Sequence, residues 1–154
     1  MLYVLTLTLH SCVRWLVVLS TLANLTSAIH GARRRRSWTA GDARLARAWI
    51  GIVDIQLVLG MAMYFELSPL TEHLPGLAGV WSVPSLRFFA LVHPVAMLGV
   101  VGLAHAGGSA ARRLGSASRR FRGVARSAGA ALVLLTVAIP WPFYAFGRPL
   151  VRLP

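Results

Sequence analysis

The sequence has no lysine, only four acidic residues and a single cysteine, Cys12. One cysteine excludes an internal disulfide, and as a small residue inside an apolar run it reads as packing before chemistry. Charged residues make up 13% of the 154 positions and hydrophobic residues 56%, with a positive mean hydropathy. That balance excludes an ordinary soluble domain of this length. No alternating strand pattern competes with helix. Also missing are a nucleophile placed with a base, a phosphate loop and a Cys or His spacing for zinc, so a hydrolase or ATPase has no support.

What is present is four apolar runs, roughly 2–29, 48–66, 88–106 and 128–146. Each is about as long as the ~20 residues a membrane helix requires. They predict an all-α, polytopic membrane protein: one domain, a bundle of four transmembrane helices. The first run has no basic segment before it and is too long for a signal peptide, so it reads as a retained helix.

All 16 basic residues are arginine, and the formal net charge is +12. In a soluble protein this would suggest nucleic acid, but the distribution argues otherwise. Six arginines (33–36, 44, 47) fall in the first connection, 30–47, and six (112, 113, 119, 120, 122, 126) in the third, 107–127. The connection 67–87 and the C-terminal segment hold only Arg87, Arg148 and Arg152. The positive-inside rule therefore predicts N- and C-termini outside and both basic loops in the cytoplasm. The Arg33–Arg36 run reads as a topology signal, with anionic lipid or a protein partner as the alternative.

The third run carries His93, and an ionisable side chain within a bilayer normally faces the bundle interior and meets a partner. Helices one and three run in the same direction, and His10 lies at a comparable depth in helix one. Two neutral imidazoles at matched depth on facing helices suit the axial positions of haem b; a hydrogen-bonded structural pair is the alternative. A second haem would need His30 and His105. The spacing opposes it: His10 to His30 is about 30 Å of helix and His93 to His105 about 18 Å, so a level outer pair leaves the inner pair offset by ~12 Å.

Other candidates surround this pair. Arg14, one turn from His10, needs a counter-charge, and Asp54 with nearby Gln56 in helix two is the expected partner; a cofactor carboxylate is the other. Tyr64 is either an interfacial anchor or part of the cofactor site. Met97, on the His93 face, is cavity lining or a weak axial ligand. Pro94 removes an amide donor and predicts a kink. The small residues Ala96, Gly99, Gly102 and Ala104 either admit a neighbouring helix or leave a slot for a flat ligand. Glu72 and His73 read as solvated loop residues, with a weak metal or quinol-proton site as the alternative. The segment Pro140-Trp141-Pro142-Phe143 reads as a rigid aromatic cap.

Several of these residues form a pattern: His10-Ser11 with Arg14-Trp15, Gln56-Leu57 with Gly60, Tyr64-Phe65, Ser68-Pro69-Leu70, Arg87-Phe88, His93, and Ile139-Pro140-Trp141-Pro142. In them the chain resembles small bacterial four-helix membrane proteins labelled cytochrome b or cytochrome b-like, over nearly its whole length. The resemblance implies one haem b, or two, in a multi-pass protein of the bacterial cytoplasmic (inner) membrane. It also implies electron transfer to a protein redox partner or larger complex, with quinone a further candidate. Val92 stands where that family often carries an acid before the histidine, so a proton-handling or ligand-orienting carboxylate is not expected here. Two other functions fit the same residues. One is copper handling, resembling copper-resistance D proteins, with His10, His93 and Met97 or Cys12 as ligands. The other is a non-catalytic accessory subunit whose small-residue faces bind a larger complex.

Overall fold

The computed structural model describes residues 1–67 and 75–150, so Ser68-Pro69-Leu70, Glu72, His73 and Arg152 lie outside the described residues. All regular structure in the described residues is helical. Helix α1 runs Leu2–Arg33 and α2 runs Ala40–Ala62, continuing as a π-helical turn, Met63–Leu67. Two short helices follow, α3 (Leu77–Ser82) and α4 (Pro84–Arg87). A second π-helical turn, Phe88–Val92, then leads into α5, His93–Arg113. The chain ends its helical part with α6, Ala117–Ala138. Four of these stretches, Leu2–Arg33, Ala40–Leu67, Pro84–Arg113 and Ala117–Ala138, are long and apolar enough to cross a membrane.

The helix ends differ from the hydropathy boundaries. The first two helices extend into the connection expected at 30–47, leaving residues 34–39 between them, and the connection expected at 107–127 shrinks to 114–116. Hydropathy marks where lipid would be, whereas arginine and alanine are good helix formers on either side of that boundary. In the fourth stretch the helix begins at Ala117 and stops at Ala138, not 128–146, because Pro140 and Pro142 cannot continue it. Where a kink is expected at Pro94, a π-helical turn ends just before it. Proline sits in the first turn of α5, where its missing donor costs least.

Packing closes the four long helices into a ring: α1 against α2, α2 against α5, α5 against α6, and α6 against α1. Thus α1 and α5 stand diagonally across the bundle. The interior is filled at mid-height by Val17, Trp49, Val53, Val100, Ala104, Ala128, Ala131 and Leu135. Trp49 is fully buried, and its indole N–H donates to the Thr21 hydroxyl at 2.9 Å. Gly107 permits this: a Cβ there would come within 2.9 Å of the Trp49 ring.

Toward the arginine-rich end a second cluster gathers Ala28, Ala46, Ala111, Phe121 and Val124. Thr39 and Asp42 form a capping box that starts α2. Arg36 grips the same carboxylate with both terminal nitrogens, each at 2.7 Å, and its guanidinium lies over Phe121 at 4.6 Å. One member of the arginine run is therefore a structural clamp.

Candidate functional site

The diagonal arrangement brings His10 of α1 and His93 of α5 together at the end of the bundle opposite the arginine-rich end. Their ring centroids are 6.1 Å apart, with the planes at 65°. Such a separation suits an edge-to-face pair. It is also short enough for both imidazoles to hold one metal ion.

Each ring is held by one nitrogen. His93 Nδ1 stands 2.7 Å from the carbonyl oxygen of Ala138. A carbonyl only accepts, so Nδ1 carries the proton and Nε2 carries the lone pair. Ala138 ends α6, where the last carbonyls have no helical donor, and the histidine supplies one. On the other ring, Gln56 Nε2 donates to the His10 carbonyl at 3.1 Å and lies 3.2 Å from His10 Nε2. Gly60 lets α2 pass close by: a Cβ there would meet the His10 ring at 3.3 Å. Two atoms of this group, His10 Nδ1 and Gln56 Oε1, are buried without a hydrogen-bond partner among the described residues. The His10 carbonyl can only accept, so this Gln56 atom is the NH2 group; its second N–H points to His10 Nε2, which accepts, and Nδ1 carries the proton. Buried polar atoms without a partner call for an explanation, a bound group among them.

Tyr64 belongs to the same end of the molecule. Its hydroxyl donates to the carbonyl of Ala90 at 3.0 Å, joining the two π-helical turns. That carbonyl lies four residues before Pro94, the residue that has no N–H to give it. The tyrosine therefore fills a bond the proline removes, a role the interfacial-anchor reading missed.

Past α6 the chain folds back as a strap. Arg148 N–H donates to the Pro140 carbonyl at 2.9 Å, and a Cβ on Gly147 would collide with the Trp141 carbonyl, so glycine is required there. Phe146 of the strap stacks on Phe88 at 4.4 Å, and Phe88 in turn lies 5.9 Å from His93. The aromatic cap expected at 140–143 thus continues to Phe146 and covers the histidine end.

This strap also corrects the expected Arg14–Asp54 pair. Arg14 is buried, but its Nη2 donates to the carbonyls of Leu150 at 2.6 Å and Pro149 at 3.4 Å, and its Nε is unpartnered among the described residues. Trp15 Nε1 reaches the same Leu150 oxygen at 2.8 Å. Asp54 bonds instead to His105 Nε2 at 3.0 Å, on the outside of the bundle. Asp54 is level with Arg14, since the contacts His10–Gln56 and Thr21–Trp49 bracket both, but it points outward from the bundle while Arg14 is buried, and a carbonyl pair takes the place of the carboxylate. His105 is engaged with α2, and His30 is exposed near the arginine-rich end, so the second histidine pair does not form.

The remaining candidates fall outside the pair. Met97 packs against the mid-height core, and Cys12 is exposed on the outer face of α1. Gly99 and Ala104 face neighbouring helices: Ala104 is fully buried, and a Cβ on Gly99 would lie 2.8 Å from Leu134. Helix packing fills the space there that a flat ligand would need. No group of three or more His, Cys, Asp or Glu side chains forms a metal cluster among the described residues.

The fold defines an all-helical membrane protein with four candidate spans and a histidine pair at one end of the bundle. Comparison with family models, with curated proteins and with solved structures finds no match for the chain.

Proposed function

We propose that the chain is a membrane haem b protein that carries electrons, with His10 and His93 as the residues that would hold the haem iron. The observation that carries this reading is the pair of imidazoles 6.1 Å apart, one anchored through Nδ1 with Nε2 left to bind, the other carrying its lone pair on Nε2, beside the Gln56 amide. When bound, the haem iron would supply reversible one-electron transfer. The Ala138 carbonyl fixes the His93 tautomer, the task an outer carbonyl performs for a ligating histidine. Gln56 orients His10. Phe88 and Phe146 shield the His93 side from water, and Arg14 brings a positive charge to the same end. Copper handling is less well supported, since neither Cys12 nor Met97 stands with the histidines.

The arginine distribution supports a multi-pass protein of the bacterial cytoplasmic membrane, with the histidine end on the outer side. Quinone, dissolved in the same bilayer, and a protein redox partner are the proposed exchange partners.

The test is a visible spectrum of haem-replete protein in detergent, oxidised and then dithionite-reduced. Sharp reduced bands of a low-spin b haem are expected. His10→Ala and His93→Ala should each abolish or strongly perturb them, and His73→Ala should not. Colourless protein under ample haem supply, or unchanged bands in both ligand variants, would overturn the assignment.

A further inference from the structure

The Asp54–His105 contact has no role in the site above, and its position is unusual. It lies on the outward face shared by α2 and α5, with 43% of the Asp54 side chain and 52% of the His105 side chain exposed. Asp54 is seven residues past Arg47, about 10 Å further along the helix, which puts it beneath the arginine layer and within the apolar stretch. Charged side chains at that depth almost always face protein or water. Elsewhere the outward surfaces are apolar, as at Leu9, Leu16 and Leu19 on α1 and Val133 and Val137 on α6.

The pair is flanked by two gaps. Gly51 and Gly102 each stand three residues before Asp54 and His105, are exposed, and have nothing within 4 Å of where a Cβ would sit. Small residues on an outward face let another helix backbone approach closely, and polar side chains beside them bond across the contact.

We propose that this face binds a second copy of the chain, making a homodimer through α2 and α5. The face is self-complementary because it carries an acid and a base side by side. The internal contact uses Asp54 Oδ1 and His105 Nε2, and among the described residues Asp54 Oδ2 and His105 Nδ1 have no partner. A two-fold axis along the membrane normal keeps both copies at one depth and sets each Asp54 against His105 of the other copy, the isologous arrangement of closed dimers. With His105 protonated, its two N–H groups bond two carboxylates, and the four side chains together are neutral. Any other partner would have to carry a matching acid and base at the same depth; a copy already does.

Disulfide trapping in native membranes tests this. In a Cys12→Ser background, Ile55→Cys and Val58→Cys place a thiol on the proposed face and Leu19→Cys places one on the outward face of α1. Mild oxidation should move Ile55→Cys or Val58→Cys to twice the monomer mass on a non-reducing gel and leave Leu19→Cys at monomer mass. Monomer at both α2 positions, equal trapping at Leu19→Cys, or an adduct with a protein of different mass would each overturn the proposal. Two positions on one face keep the test decisive if one variant fails to insert.

Discussion

Pro94 shows how one residue sets requirements on another far away in sequence. Without an N–H it leaves the Ala90 carbonyl short of a donor, and the Tyr64 hydroxyl makes up the loss. A hydrogen bond of this kind contributes on the order of 1 kcal/mol. We expect Tyr64→Phe to destabilise by about that much, read as a lower unfolding temperature in detergent. In a Pro94→Ala background the alanine N–H can reach Ala90 itself, so Tyr64→Phe should then cost clearly less. Equal losses in both backgrounds would mean that the two residues are not coupled. The sequence held half of this relation: Pro94 announces an orphaned carbonyl at Ala90, but nothing local says which side chain will find it. The histidines were more legible. A common helix direction and similar depth sufficed to pair His10 with His93, because both constraints follow from topology alone. Arg14 was not legible in the same way, since its partners are backbone carbonyls and no residue type encodes those.

Among the elements, the strap after α6 is the one that hydropathy misrepresents. Its aromatic residues read as a continuation of the last membrane helix, yet Pro140 and Pro142 end that helix and turn the chain back over the histidine end. The strap is held by the Phe88–Phe146 stack, by Arg148 over the Phe89 ring, and by the Leu150 carbonyl shared by Arg14 and Trp15; the first two are aromatic contacts and the last is the second kind. Removing the second kind should loosen the strap without unfolding the bundle, because α6 packs through Ala128, Ala131 and Leu135, which the strap does not supply. In the double variant Arg14→Leu, Trp15→Phe, we expect faster hydrogen exchange at Gly147 and Arg148, whose amides bond within the strap. Exchange in the middle of α6 should stay unchanged. Unaltered exchange at Gly147 and Arg148 would assign the strap's order to the aromatic contacts alone.

Across the whole molecule, charge and chemistry separate along the bundle axis. The capped start of α2, the Arg36 clamp and most of the arginines lie at one end; the histidine pair, the two π-helical turns and the strap lie at the other. This polarity was legible in the sequence because arginine clustering needs no knowledge of contacts, whereas the helix ends were not, since arginine and alanine extend a helix past the lipid boundary without a hydropathy signal. If the positive-inside rule governs insertion, the short connection 34–39 faces the cytoplasm and the connection before α3 faces outward. Single-cysteine variants in the Cys12→Ser background can read this. Ser37→Cys should be shielded from a membrane-impermeant maleimide in intact cells and react only after permeabilisation. Gly76→Cys, exposed at the start of α3, should react in intact cells. The reverse pattern would put the histidine end in the cytoplasm, and the proposed electron transfer would move to that side with it. The orientation thus decides which partners can reach His10 and His93.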